Sequence, residues 1–287
     1  MPKPIVSVIV PFRFFNERVK ECIESIKKQR YNNIEIITVS DRTHLRIAGI
    51  KSIYNPRLDG AGKKRNAGAK VARGSILFFL DSDCKLNKDT IEKIVKMFKQ
   101  IETDAITCKP LAPKHTNILD FATLLEYEDR YNRVGEAYVD IAATTCLAVK
   151  RRVFIVTGGF IDFSRNEAAG EDWDFALRMR KLGFKIFHTN KIGVVHNHIS
   201  KSLWNYLKRQ YLHARYRITH KRRYGKYTDE YASTTMFITS TLLLCMPVIF
   251  RIYKQVRSLR LLALIPISFL RNFAWFIGFI DGVFDRI

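Results

Sequence analysis

The sequence predicts an α/β fold, a mostly parallel sheet flanked by helices, followed by a helical C-terminal region. Three observations carry that prediction. Up to about residue 198, strand-length runs of Ile, Val, Leu and Phe alternate with helix-period segments, the pattern of a sheet covered on both faces. From Ser200 the apolar period becomes helical throughout. The charge balance changes at the same place: residues 1–198 hold 34 Lys+Arg and 23 Asp+Glu, whereas residues 199–287 hold 15 and 4. With 287 residues, 47% of them hydrophobic, the chain has ample material for a core and is not a disordered polyelectrolyte.

The elements follow in order. Ile5–Val10, Ile34–Val39 and Ser75–Leu80 read as buried strands. Between the first two, Asn16–Lys28 puts Val19, Cys22, Ile23 and Ile26 on one helical stripe, and Lys63–Ala72 reads as a helix before the third. Asn87 is the expected N-cap of a helix over Lys88–Lys99. A strand near Asp104–Lys109, a helix near Ile118–Arg133 and a strand over 141–149 come next. Gly170–Leu182 reads as a helix that Gly183 stops at its C′ position, and Phe184–His188 and Ile192–His196 as short strands. Beyond Ser200, Leu203, Leu207, Tyr211, Ala214 and Ile218 share one face, opposite basic residues. Charge and period together divide the chain into 1–199 and 200–287.

A net charge of +22 first suggests nucleic acid, because phosphates reward clustered Lys and Arg. The distribution argues otherwise. Residues 201–226 carry nine basic side chains and no carboxylate, and 232–250 follows with no charge at all. A basic tract abutting an apolar one suits an anionic membrane surface, and no nucleic-acid module is recognisable. The five cysteines are scattered without a C-x-x-C pair, which points to a reduced, cytosol-facing chain. The first apolar run, stopped by Pro11, is too short for a secretory signal.

Asp81-Ser82-Asp83 follows directly on the apolar strand SILFFL. Two carboxylates on the loop leaving a buried strand lie where open α/β sheets bind ligands. Hard oxygen ligands there suit Mg²⁺ or Mn²⁺ with substrate phosphates; a turn cap and a solvated carboxylate are the structural alternative.

The segment GAGKKRNAGAKVARGSILFFLDSDC (60–84) resembles the family 2 glycosyltransferases of the GT-A, Rossmann-like fold. Their signature is an Arg-Asn-x-Gly helix, a strand, and a D-x-D pair that holds the metal on a nucleotide-sugar diphosphate. The resemblance extends over 5–198 through SVIVPFRFFNE, ITVSDRT, GGFID and AGEDWDFALRMRKLGFKI. It implies that 1–199 is the catalytic domain, with Pro11, Phe12, Arg13 and Asp41 around the base and ribose. It also implies Arg65 as a phosphate or base contact, Ser82 on the donor, Asp83 with Asp81 on the metal, Asp172 as general base and Glu171 as its neighbour. The family usually has two acidic residues after the second strand, where this chain has Ser40-Asp41. Chemistry favours the same roles: a cation and Arg65 would stabilise the leaving diphosphate, and a carboxylate would take the acceptor's proton.

His196 and His198 end a strand on one side by the two-residue period; His196 is either a further metal ligand or a structural histidine. LKRQYLHARYR (207–217) is similar to the R-Q-Y segment that follows the catalytic domain in membrane-linked members. There Arg209 and Arg215 meet a diphosphate or lipid phosphate, or form a basic face on anionic lipid. Residues 232–250 are just long enough to span a bilayer, at roughly 28 Å against a core of ~30 Å. A second apolar tract, 261–280, contains Pro266 and Arg271. A spanning hairpin would put the basic loop 251–260 outside, against the positive-inside tendency, so shallow or re-entrant insertion is the favoured arrangement, with Arg271 snorkelling where the helices lie in the interface.

The whole predicts an inverting, metal-dependent glycosyltransferase anchored by its C-terminal region at the cytoplasmic membrane face. Its partners would be a nucleotide-sugar donor, a lipid-linked or glycan acceptor and membrane lipids, with no nucleic acid. Polyprenyl-phosphate glycosyl transfer and a non-catalytic nucleotide-binding membrane protein are the alternatives.

Overall fold

The computed structural model describes residues 3–111, 113, 131–132, 134–161, 170–197, 202–225 and 264–284. The chain forms two compact units. One comprises Met1–Pro113 and Val134–Asn197, the other Lys114–Arg133 and His198–Ile287.

The described strands of the first unit are β1 (Val6–Phe12), β2 (Ile34–Ser40), β3 (Ile50–Tyr54), β4 (Ile76–Phe79), β5 (Cys84–Leu86), β6 (Ala105–Leu111), β7 (Ala137–Tyr138), β8 (Leu147–Lys150) and β9 (Ile186–His196). They form one sheet in the order β3-β2-β1-β4-β8-β6-β9-β5, with β7 also on β9. Its helices are α1 (Glu17–Lys27), α2 (Ala61–Val71), α3 (Thr90–Gln100), α4 (Arg151–Thr157) and α5 (Glu171–Lys181).

Strand periodicity explains the continuous apolar runs. Val6, Val8 and Val10 of β1 join one buried cluster with Ile76 and Phe78 of β4, while Ile9, Leu77 and Phe79 join the cluster on the other face. On the first face α1 lays down Cys22 and Ile26; the predicted stripe of Val19, Cys22, Ile23 and Ile26 is buried, and Asn16 caps the helix by accepting from the N–H groups of Arg18 and Val19. On the second face α2 lies close against β1, because Gly68 has no side chain: a Cβ there would stand 2.5 Å from Ile9 Cγ2.

The sheet is parallel from β3 through β2 and β1 to β4. Beyond that the expectation of a mostly parallel sheet is corrected. β8 runs antiparallel to β4 and β6, and β5 antiparallel to β9, with only β6 and β9 parallel. Strand order reverses at β1, so the carboxyl ends of β1 and β4 open side by side, the place where open sheets of this kind bind ligands.

Other expectations shift for local reasons. The strand over 141–149 contracts to β8, with 141–146 forming a turn-containing approach. The two strands after Gly183 are one continuous β9, whose pairing with β6 changes register between Cys108 and Lys109. α3 begins at Thr90 after Asp89, and Asn87 instead sends its side-chain amide to the Gly193 carbonyl at 3.4 Å. Most of the expected helix at 118–133 lies outside the described residues.

In the second unit, α6 (Leu203–Tyr224) packs on α7 (Leu264–Phe284). Gly278 and Gly282 of α7 meet the backbone of Tyr211 and Arg215 on α6, and the Tyr211 hydroxyl donates to Asp281. The buried face of α6 holds Tyr206, Gln210, Ala214 and Ile218. Of the expected face, Ala214 and Ile218 are buried and Leu207 and Tyr211 partly so, while Leu203 is exposed beside Trp204 in the first turn. No helix among the described residues is long and apolar enough to cross a membrane. The tract 232–250 and the loop 251–260 lie outside the described residues.

Candidate active site

The sequence-predicted residues of the first unit gather at the carboxyl ends of β1, β2 and β4 and at the start of α5. At the end of β1, Pro11 and Phe12 are buried and Arg13 is exposed. The Arg13 carbonyl accepts from the hydroxyls of Ser40 and Thr43 at 3.0 and 3.3 Å, which ties the loop after β1 to the turn after β2. Ser40 shapes that turn by accepting from the N–H groups of Arg42 and Thr43. Asp41, in the turn, is buried and meets the Lys64 ammonium of α2 at 2.7 Å.

α2 organises the rest. Arg65 is 3% exposed. One terminal nitrogen donates to Asp81 at 2.6 Å and the other to Glu171 at 2.8 Å. Burial opposes its charge, but the two carboxylates more than offset this and hold its pKa above the ordinary arginine value. Arg65, the expected phosphate or base contact, thus pairs with two carboxylates; its guanidinium also lies over the Phe160 ring at 5.5 Å. The next residue, Asn66, donates to the Phe160 carbonyl at 2.7 Å and accepts from the Phe160 N–H at 2.9 Å. The Arg-Asn pair therefore joins three segments: the loop after β4, the Gly-Gly-Phe turn after α4, and the first turn of α5.

That turn is held from its far side too. Arg178 of α5 pairs with the fully buried Asp174 at 2.7 Å and donates to the carbonyls of Thr157 and Gly159. Gly159 has φ +68, and a Cβ there would lie 2.7 Å from Asn66 Oδ1, so only glycine fits. Asp162 of the same motif lies outside the described residues.

Glu171 and Asp172 open α5 after Gly170, whose φ of 93 supplies the reversal. Asp172 accepts from the N–H of Trp173 at 2.9 Å and of Thr144 at 3.4 Å. Burial first, then the Glu171 charge, push its carboxyl up to about 7, with Arg65 opposing. A carboxyl at that value can act as a proton acceptor near neutral pH.

Asp81-Ser82-Asp83 forms the tight link between β4 and β5, closed by the Cys84 N–H on the Asp81 carbonyl at 3.0 Å. The pairing of β5 with β9 sets Cys84 opposite His196, and the Asn197 N–H donates to the Asp83 carbonyl at 2.8 Å. His196 Nε2 stands 3.4 Å from Asp83 Oδ1. A carboxylate oxygen of Asp83, a ring nitrogen of His196 and Cys84 Sγ lie within 4.8 Å of one another, a donor set that fits a divalent cation. Asp81, the other expected ligand, has its carboxylate on Arg65. His198 lies outside the described residues. Arg209 and Arg215 belong to the second unit, on α6, where the Arg209 guanidinium lies over the Tyr206 ring at 6.0 Å.

Lys64, Asn66, Thr144 and Cys84 are site residues that sequence reasoning did not single out. Of these only Asn66 carried a signal, as the second letter of the Arg-Asn motif.

Comparison with known proteins agrees with this architecture. The family described as glycosyl transferase family 2 matches residues 7–157. The glycosyltransferase EpsJ of Bacillus subtilis, itself uncharacterized, is 31% identical over 115 residues, 37% of this chain and 33% of its own length. The amylovoran biosynthesis glycosyltransferase AmsB of Erwinia amylovora is 24% identical over 202 residues, 62% of this chain and 65% of its own. The chain thus spans about a third of the first relative and just under two thirds of the second. Among solved structures, the mannosyltransferase PcManGT from Pyrobaculum calidifontis, in complex with GDP-Man and Mn²⁺, superposes with a TM-score of 0.66 at 17% identity. The match covers 100% of this chain and 89% of that one, and it establishes the shared GT-A fold.

Proposed function

The chain belongs to glycosyl transferase family 2, and from that premise we propose that it is an inverting, metal-dependent hexosyltransferase. In this reading it moves a sugar from a nucleoside-diphosphate donor to a hydroxyl of a lipid-linked or cell-surface glycan at the cytoplasmic face of the membrane. One observation carries the reading. Asp172, a carboxyl raised to about 7, is coupled through its neighbour Glu171 and the Arg65 guanidinium to the Asp81-Ser82-Asp83 loop. A base and a diphosphate-binding loop must be held in register for an in-line displacement, since misplacement of about 1 Å can cost ~10²-fold.

A bound divalent cation, Mg²⁺ or Mn²⁺, would neutralise the charge that grows on the departing diphosphate; Asp83 and His196 would hold it. The remaining work falls to the chain's own side chains. Asp172 takes the proton of the acceptor hydroxyl as that oxygen attacks the anomeric carbon. Pro11, Phe12, Arg13, Asp41 and Ser82 form the donor side, and Arg65 fixes the two carboxylate loops rather than gripping phosphate. Support for a nucleotide-sugar donor and Mn²⁺ comes from the PcManGT complex, and support for a glycan acceptor from AmsB.

Membrane association is supported by the second unit. Phe269, Phe273, Phe276, Ile280 and Phe284 of α7 are exposed, while α6 ends in the exposed Lys221, Arg222 and Arg223. An apolar stripe beside a basic end suits an interfacial helix pair on anionic lipid. On that surface Arg209 and Arg215 serve a diphosphate or a lipid phosphate.

The test is Asp172→Asn. A hydroxyl acceptor requires the base, so transfer should fall by roughly 10²–10⁴-fold with the fold intact. Retention of most of the rate would overturn the hydroxyl acceptor and indicate one that is already an anion, such as a polyprenyl phosphate.

A further inference from the structure

The D-x-D loop of this chain ends in a cysteine, and the sheet turns that thiol toward the cation site. Cys84 is the first residue of β5, and it pairs directly with His196 of β9 in antiparallel register. Residues opposite each other in such a pair present their side chains to the same face, with Cβ atoms about 5 Å apart. Asp83 precedes Cys84 at the end of the loop, and its carboxylate reaches His196 Nε2 at 3.4 Å. The outcome is one oxygen, one nitrogen and one sulfur within 4.8 Å of one another, with Cys84 buried and Asp83 and His196 partly exposed.

We infer that Cys84 is a cation ligand, so that the Asp83–Cys84–His196 site takes a borderline-soft divalent ion, Zn²⁺ or Co²⁺, more tightly than Mg²⁺ or Mn²⁺. An oxygen-only site would favour hard ions, whereas thiolate and imidazole shift preference toward Zn²⁺ and Co²⁺. Three protein ligands of mixed type leave a fourth position open, the arrangement in which zinc keeps an exchangeable water or substrate oxygen. Ligands of a tetrahedral zinc ion stand roughly 3.3–3.8 Å apart, given bonds of about 2.0–2.3 Å. A side-chain adjustment of about 1 Å therefore closes the set, and the thiol proton leaves to solvent on binding. The inference rests on the glycosyltransferase reading only for the place where the donor diphosphate meets the cation. Within that reading, Zn²⁺ competes with Mn²⁺ for Asp83 and His196.

The experiment is a Co²⁺ titration of the full chain without donor, followed by near-ultraviolet absorption, with Zn²⁺ and Mn²⁺ affinities measured by calorimetry. A thiolate-to-Co²⁺ charge-transfer band is expected in the native chain and in Cys22→Ser, whose thiol instead donates to the Asp81 carbonyl at 3.6 Å. The band should vanish in Cys84→Ser. Zn²⁺ affinity should fall at least tenfold there, since even residues behind a metal ligand are worth about 10–100-fold, while Mn²⁺ affinity stays within a few-fold. Circular dichroism checks that Cys84→Ser is folded, and Cys84→Ala provides a second variant. Co²⁺ that binds without the band, a band that survives Cys84 substitution, or no Co²⁺ binding would each overturn the inference. Donor binding with Mn²⁺, measured in parallel, reports separately on the glycosyltransferase reading, which stands if Mn²⁺ and donor bind while the band is absent.

Discussion

Arg65 and Glu171, 106 residues apart in sequence, share a hydrogen bond of 2.8 Å, and the same guanidinium holds Asp81 at 2.6 Å. One buried cation thus fixes a carboxylate of the loop after β4 and one of the first turn of α5. Removing it in Arg65→Ala leaves both without a partner, a change expected to cost on the order of 3 kcal/mol. Chemical denaturation should show a lower midpoint at unchanged slope. Arg65→Lys should regain part of this stability but little of the transfer rate, because one ammonium does not reproduce the fork that reaches both partners.

With Asp172 as the proposed base, transfer should depend on pH. Its carboxyl is pushed up to about 7, and the deprotonated form is the one that accepts a proton. The rate should therefore rise about tenfold per pH unit below 7 and level off above it. Glu171→Gln removes the like charge that raises this value, so the inflection should move to lower pH. A pH–rate profile of the two proteins, read at saturating donor, checks both the position and the direction.

Asn66 grips Phe160 at both backbone groups. In Asn66→Ala a buried N–H and a buried C=O lose their partner, at about 1–3 kcal/mol each when left unsatisfied. Asn66→Asp should not rescue it, since a carboxylate can accept from the N–H but has no donor for the C=O. Gly159→Ala should be at least as damaging, because it combines an unfavourable φ of +68 with a Cβ placed 2.7 Å from Asn66 Oδ1. Thermal unfolding of the three variants checks the order.

Vesicle binding should depend on the exposed stripe of α7. Flotation with anionic vesicles is expected to drop sharply in the double substitution Phe273→Glu, Phe276→Glu, and to weaken at high salt, since part of the attraction is electrostatic. Equal flotation of native and substituted chains would remove α7 from the membrane surface.

Much of this arrangement was legible in the sequence because burial on both faces writes β1, β2 and β4 as continuous apolar runs. β3, with the sequence IKSIY, was not: it is an edge strand of mixed burial, so it lacks both a continuous run and a clean alternation. β5 and β7 have three and two residues, too short for any periodicity, and exist through pairing with β9. The same division applies to the site. Asp83, Glu171 and Asp172 stood out because their motifs are local. Asn66 on Phe160 spans 94 residues. Thr144 reaches Asp172 through its backbone N–H, which no side-chain pattern encodes. Cys84 meets His196 only through the β5–β9 register. Arg65 was picked out as a site residue, but its two partners come from segments that folding alone brings together.

The most direct test is release of nucleoside diphosphate from a panel of nucleotide sugars, with Mn²⁺ and a membrane fraction supplying the acceptor. It compares the native chain with Asp83→Ala and Asp172→Asn, both confirmed folded. Turnover of at least one donor by the native chain is expected, with a loss of about 10²-fold or more in each variant. Turnover at the native rate in both variants would contradict it.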